Sequence, residues 1–411
     1  MAPARLKMKT LNDNPYLRNL NSELSIMKIV KKQSKNIFIK SLFILCVIAS
    51  LFSQLPYCLA IGIDGWLKIV WILPLFYLFI THSVTFVSRD IVPFYLYVLT
   101  FTLYALFCNL ITPSDVHYFG KDVANIWISL MVFTISYVFF KHYGTSDFIS
   151  VLSYFILIVA VIIGVLIYLD FFQGTSIKER MYVFPQKNSM SIILLSVIFI
   201  SIFYFPNNKI SKLFYTGGLI FLLSLIFIMK ARAAILCFIV AVVLLVLRTN
   251  NKELKIGIIA AILLVIVFFI FHGEILDAIF NYIILNSSNL NDLNDISSGR
   301  LNYISEALKK IPGHELIGNG DYYVDCMPIN ILVEYGLLGL GLIIAYLIMI
   351  GRRITRLNKN IPLYACVSIL FVIFVVNSCF EANPPFGPGI KCFLLWTFLG
   401  FSMVRPYDYA K

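Results

Sequence analysis

Three arginines and a small set of carboxylates are the residues of this chain best suited to chemistry. Arg180 stands in Lys178-Glu179-Arg180, Arg232 in Lys230-Ala231-Arg232, and Arg300 in Ser298-Gly299-Arg300. A planar guanidinium stays charged and donates two parallel hydrogen bonds, so three of them on one face of a membrane suit a diphosphate. Arg232 separates two apolar runs, where a cation is costly unless paired, hydrated or interfacial. The structural alternative is a tight turn from which Lys230 and Arg232 snorkel outward. The acidic candidates are Glu179, Asp321, Asp325, Glu334 and Glu381. Asp325 sits just before an apolar run, and Glu381 follows Asn377-Ser378-Cys379-Phe380 at the end of another. Either can take a proton from a hydroxyl or orient a substrate by hydrogen bonding. Glu334 lies within an apolar run, where pairing with an arginine is the structural alternative. No acid pair is legible from spacing alone.

The 8 cysteines include no CxxC and the 5 histidines form no spaced set, so no metal site and no cofactor are expected. Cys326 and Cys379 fall at the outer ends of apolar runs, which leaves a disulfide open to them.

These residues are set in a hydrophobic chain. Of 411 residues 60% are hydrophobic and 13% charged, and the mean hydropathy is +0.88. Soluble domains carry about 25% charged residues, so a soluble domain is excluded. Runs of roughly 17 to 25 apolar residues are needed to cross a bilayer as helices. About twelve are expected, near 40–62, 66–86, 91–112, 123–140, 148–170, 188–205, 213–230, 232–248, 256–272, 328–350, 361–380 and 389–404. The fold class expected is therefore an all-α polytopic membrane protein. The division between the seventh and eighth spans rests on Lys230-Ala231-Arg232 alone, and an error there would invert the rest. With both termini cytoplasmic, 22 of the 33 Lys and Arg fall on the cytoplasmic side, in keeping with the positive-inside rule. The net charge of +12 is thus a topology signal, and nucleic acid is not an expected partner.

The expected organisation is a basic cytoplasmic tail (1–39), spans 1–9 (40–272), one large external loop (273–327), spans 10–12 (328–404) and a cytoplasmic tail (405–411). Within the large loop, Leu301, Ile304, Leu308 and Ile311 recur at helical spacing. They predict a short amphipathic helix, capped by Ser297 or Ser298 and stopped by Pro312-Gly313, with its apolar side on the bundle or the membrane surface. Gly318-Asn319-Gly320 reads as a turn whose amides can approach an anion. Gly336-Leu337-Leu338-Gly339-Leu340-Gly341 reads as a small-residue stripe for close helix packing.

The order of these pieces resembles the O-antigen ligase and polymerase superfamily over residues of about 170 to 390. The resemblance rests on Lys230-Ala231-Arg232-Ala233-Ala234 opening a span, Ser298-Gly299-Arg300, Gly318-Asn319-Gly320 and Glu334-Tyr335-Gly336-Leu337-Leu338-Gly339. Where ligases of that superfamily show a histidine ahead of the Gly-x-x-Gly, this chain has Asp325-Cys326. It therefore looks more like a Wzy-type O-antigen polymerase. The resemblance implies a bacterial inner-membrane glycosyltransferase whose large loop is periplasmic. Its substrates would be an undecaprenyl-diphosphate-linked glycan donor and acceptor, with membrane lipid around it and a chain-length regulator as a candidate partner. Arg180, Arg232 and Arg300 would hold the diphosphate, and Asp325 and Glu381 would be catalytic. The alternatives are an O-antigen ligase acting on lipid A core, a polysaccharide flippase or transporter, and a noncatalytic assembly partner.

Overall fold

The computed structural model describes residues 36–112, 116–172, 187–248, 255–256, 259, 299–320, 323–357, 361–387 and 391–404. Arg180, Glu179, Asp321, Ser297, Ser298, the large loop up to 298 and nearly all of the ninth expected span lie outside the described residues. Those described are helical throughout, with no strand among them. Six helices are long and apolar enough to cross a membrane, at Gly65–Val87, Val92–Ile111, Gly120–Tyr143, Ser146–Leu169, Lys209–Ile228 and Met327–Thr355. Five further apolar helices are shorter, including Asn36–Phe52, Lys187–Phe203, Pro362–Asn377 and Phe393–Ser402.

In chain order the helices are α1 (Asn36–Phe52), α2 (Pro56–Ile61), α3 (Asp64–Ile69), α4 (Ile72–His82), α5 (Val92–Ile111), α6 (Val116–Tyr143) and α7 (Ser146–Phe172). There follow α8 (Lys187–Phe203), α9 (Lys209–Ile228), α10 (Arg232–Arg248), α11 (Arg300–Lys309), α12 (Met327–Thr355), α13 (Pro362–Asn377) and α14 (Phe393–Ser402). The first expected span is not one helix: a turn at 53–55 divides it ahead of Pro56, because a residue before proline is pushed away from helical backbone. The seventh and eighth expected spans are two helices, α9 and α10. Between them Lys230 takes a φ of 49°, a left-handed conformation that ends one helix and reverses the chain.

Burial sorts the helices into an inner and an outer set. In α8 every residue from Met190 to Ser201 is buried, and all ten residues of α14 are buried. Gly400 explains how α14 comes so close to α6: a Cβ there would lie 2.5 Å from the Phe133 carbonyl oxygen. Phe43, Phe139, Phe140 and Phe401 stack around that contact, with centroids 4.3 Å apart for Phe43–Phe139 and 4.7 Å for Phe140–Phe401. Between apolar helices in lipid such close packing is the main source of adhesion. By contrast α5 buries one stripe, Phe94, Val98, Phe101, Ala105 and Cys108, while Leu96, Leu99, Leu103 and Leu110 stay exposed. That is the pattern of a peripheral, lipid-facing helix.

Contacts between the connections gather at two ends of the bundle. At one end Arg353 hydrogen-bonds the Asp90 carbonyl, and His82 stacks on His142 at 3.7 Å. At the other end meet Arg300 with Glu381, Tyr335 with Asp122 and Lys391 with Ser189.

Two expectations about glycine are corrected. The stripe from Gly336 is not a plain packing surface, since Gly336 has a φ of 66° and breaks α12. Into the break comes the 313–320 loop: Leu337 and Leu338 donate their N–H groups to the Glu315 and Leu316 carbonyls, and Asn319 donates to the Val333 carbonyl. A Cβ on Gly336 would sit 2.3 Å from the Leu316 carbonyl, and one on Gly318 2.5 Å from that of Glu334. These two glycines therefore permit backbone to meet backbone. The amides of Gly318 and Asn319 are consumed in the same arrangement, Gly318 donating to His314, so they are not offered to an anion.

Candidate functional site

Helix α11 carries Arg300 as its first residue. Its N-cap is Gly299, at a φ of 79°, in place of the expected serine, and no side chain caps it. Ile304 and Ala307 project from the same face as Arg300, and with Ile311 they pack on Val324, Cys326, Ile329 and Val333. This spacing turns Arg300 inward, toward the bundle. Leu301 and Leu308, the other half of the expected apolar pattern, remain 44% and 46% exposed and make a second stripe on a different face.

Arg300 meets both carboxylates singled out from the sequence. Its Nη2 lies 3.7 Å from Glu381 Oε1 and 4.0 Å from Asp325 Oδ2. At these lengths the contacts are electrostatic rather than tight hydrogen bonds. Glu381 is fixed from another direction, because Asn188 Nδ2 donates to its Oε1 at 2.9 Å. The chain holds Asp325 and Glu381 in register through one amide: Met327 N donates to the carbonyls of Ser378 at 2.8 Å and Glu381 at 3.1 Å. The start of α12 and the end of α13 are thereby joined beneath the two carboxylates.

Further cations surround this group. Lys187, at the head of α8, is within electrostatic reach of Arg232 and Arg300. Lys391 Nζ donates to Ser189 Oγ at 3.0 Å and interacts with Glu381. Among the described residues five cations, Lys121, Lys187, Arg232, Arg300 and Lys391, thus gather around Asp325 and Glu381, with Asp122 also near Tyr323. Such an excess at the end of an apolar bundle draws anions. Burial pushes the Glu381 carboxyl up from its ordinary value, with Asp325 adding to the effect, while the Asn188 hydrogen bond and Arg300 pull it down. Burial also raises the Tyr323 phenol, beside Asp325 and Glu381, and Lys121 lies over its ring at 5.8 Å.

Arg232, Arg300, Asp325 and Glu381 therefore share one end of the molecule. Among the described residues the charges nearest Glu334 are those of Asp122 and Lys121 on α6, not of an arginine. Cys326 and Cys379 are free thiols, with Cys379 exposed. Among the described residues no three His, Cys, Asp or Glu gather as a metal site would require.

Sequence reasoning missed Lys187, Asn188, Tyr323 and Lys391. Lys391 carried a usable signal, as an isolated cation at the edge of an apolar run. Asn188 carried none, since an amide opening a helix is ordinary. No protein-family model and no curated protein matches this chain.

Proposed function

We propose that the protein is a membrane glycosyltransferase that joins lipid-diphosphate-linked oligosaccharide units, in the manner of an O-antigen polymerase. The observation that carries this reading is Arg300 set between Glu381 and Asp325, with Lys187, Arg232 and Lys391 around them. The donor is a glycan on undecaprenyl diphosphate. An acceptor sugar hydroxyl attacks its anomeric carbon, a new C–O bond forms, and the bond from that carbon to the diphosphate oxygen breaks. Glu381 receives the hydroxyl proton. Its half-buried carboxyl, oriented by Asn188, is a stronger base than a fully exposed glutamate. The guanidinium of Arg300, with Arg232 and Lys187, stabilises the charge that develops on the leaving lipid diphosphate. Asp325 orients Arg300 and the acceptor.

The test is a deletion strain rescued with Arg300→Ala or Asp325→Ala, with its lipopolysaccharide resolved on a gel. Both variants are expected to give a single-repeat band in place of the long ladder. Normal ladders from both at normal expression would sink the assignment. Loss of all glycan from the lipid A core in the deletion strain would replace the polymerase with a ligase.

One observation favours a second reading, a lipid-linked glycan flippase. The break at Gly336 and the carboxylates Asp122 and Glu334 place irregular backbone and acidic groups within the candidate membrane-crossing helices Gly120–Tyr143 and Met327–Thr355, as membrane transporters do. Translocation of a lipid-linked glycan in vesicles, without chain growth, is its distinguishing result.

A further inference from the structure

The short segment leading into α12 alternates its exposure residue by residue. Val324 and Cys326 are buried in the cluster that holds Ile304 and Ala307 of α11, whereas Tyr323 and the side chain of Asp325 are each 43% exposed. Tyr323 and Asp325 therefore share the outward side of the segment, where Arg300 Nη2 lies 4.0 Å from Asp325 Oδ2. The segment is held from within. Asn330, only 3% exposed, accepts the Val324 N–H on its Oδ1 at 3.0 Å, and the Met327 N–H bonds to the Ser378 and Glu381 carbonyls. A buried side-chain amide committed to the backbone in this way fixes where the two outward residues stand.

The aromatic ring so displayed is set among charges. Lys121 Nζ lies 5.8 Å from its centroid, and Asp325 and Arg300 follow along the same edge of the site. A hydrocarbon chain laid on this ring would strip water from those charges and return no hydrogen bond. A sugar satisfies both demands. The C–H groups of a pyranose face cover an aromatic ring, and the hydroxyls around its rim accept from an ammonium and donate to a carboxylate. We propose that Tyr323 is a sugar-binding platform, on which one ring of the oligosaccharide substrate stacks while its hydroxyls bond to Asp325 and Lys121.

This inference rests on the reading of the site as one that takes a lipid-linked glycan. It divides the work there, with Arg300, Arg232 and Lys187 on the diphosphate and Tyr323 with its two neighbours on the sugar. A tyrosine at the end of a membrane bundle also serves as an interfacial anchor among lipid headgroups. That role predicts no dependence of sugar binding on the ring.

The experiment titrates the full-length protein in detergent with the repeat-unit oligosaccharide released from its lipid by mild acid, followed by saturation-transfer NMR and calorimetry. The wild type is expected to bind it. Tyr323→Phe keeps the ring and is expected to bind within about twofold of the wild type, whereas Tyr323→Ala and Tyr323→Leu are expected to bind about tenfold more weakly. Because Tyr323 is exposed, all three variants are expected to keep the wild-type melting temperature. Where Tyr323→Ala fails to fold, Tyr323→Leu decides, since it keeps apolar bulk without a flat face. Absence of binding by the wild type, or undiminished binding by the variants that lack the ring, would overturn the inference. So would Tyr323→Phe as weak as Tyr323→Ala, which would assign the effect to the hydroxyl. Failure of the transferase reading alone has a different signature: sugar binding still depends on Tyr323, while Arg300→Ala leaves the ladder normal.

Discussion

Arg300 and Glu381 act through their side-chain chemistry, and each makes a prediction separable from folding. Lysine keeps the charge at position 300 but loses the planar fork, so Arg300→Lys is expected to lower transfer by about 10²–10³-fold. Retention of near-normal turnover with lysine would show that charge alone suffices. Glu381 is effective as a base only when deprotonated, and burial holds its carboxyl above its ordinary value of 4.5. Turnover is therefore expected to rise with pH through a window above 4.5, and Glu381→Gln to remove that limb with a loss of roughly 10²–10⁴-fold. The stability contribution of the same group runs the opposite way. It is fully present below 4.5 and lost as pH rises through the raised value, because the folded state holds the proton more tightly. Transfer assays in vesicles with lipid-linked donor and acceptor, taken across pH, check both variants.

At the scale of elements, the break in α12 is the feature on which the site most depends. Gly336 has a φ of 66° and no room for a Cβ against the Leu316 carbonyl, whereas a Cβ on Gly341 meets nothing within 4 Å. Gly336→Ala is expected to cost several kcal/mol, from left-handed strain of about 1–3 kcal/mol plus displacement of the 313–320 loop. Gly341→Ala is expected to be neutral or slightly stabilising, since alanine is the better helix former. Thermal unfolding of the two variants side by side checks this, and equal melting temperatures would show that the loop does not depend on the break. Helix α11 is positioned by the same seam, because Ile304, Ala307 and Ile311 pack on Val324 and Val333. A displaced loop is therefore expected to move Arg300 as well.

At the scale of the whole molecule, the two ends of the bundle differ in chemistry. One end collects Arg353, Asp90, His82 and His142; the other collects the arginines, lysines and carboxylates of the candidate site. Cys379 is exposed at the second end, two residues before Glu381, while Cys46, Cys108, Cys237, Cys366 and Cys392 are buried. A membrane-impermeant maleimide applied from outside the inner membrane is expected to label the protein, and Cys379→Ser to abolish most of that labelling. Undiminished labelling of Cys379→Ser, or labelling only after the membrane is opened, would reverse the proposed orientation. Reporter fusions at the C-terminus are expected to read as cytoplasmic in the same cells.

Much of this fold was legible in the sequence, because hydropathy and helical spacing are properties of neighbouring residues. The helical class, the apolar helices, the separation of α9 from α10 and the existence of α11 follow from runs, charges and periodicity along the chain. Arg300, Asp325 and Glu381 were also legible as isolated polar residues at the ends of apolar runs. Their meeting was not, since 56 positions separate Asp325 from Glu381 and the Met327 amide and Arg300 bring the two segments together. Nor could spacing show that Gly336 opens a helix to receive the 313–320 loop, or that Tyr335 donates to Asp122 on α6. A sequence by itself determines which stretches must leave water and where charges must stay at the margin. Which margins meet, and which side chains face each other there, is decided by the packing of helices distant in the chain, so only the tertiary structure settled it.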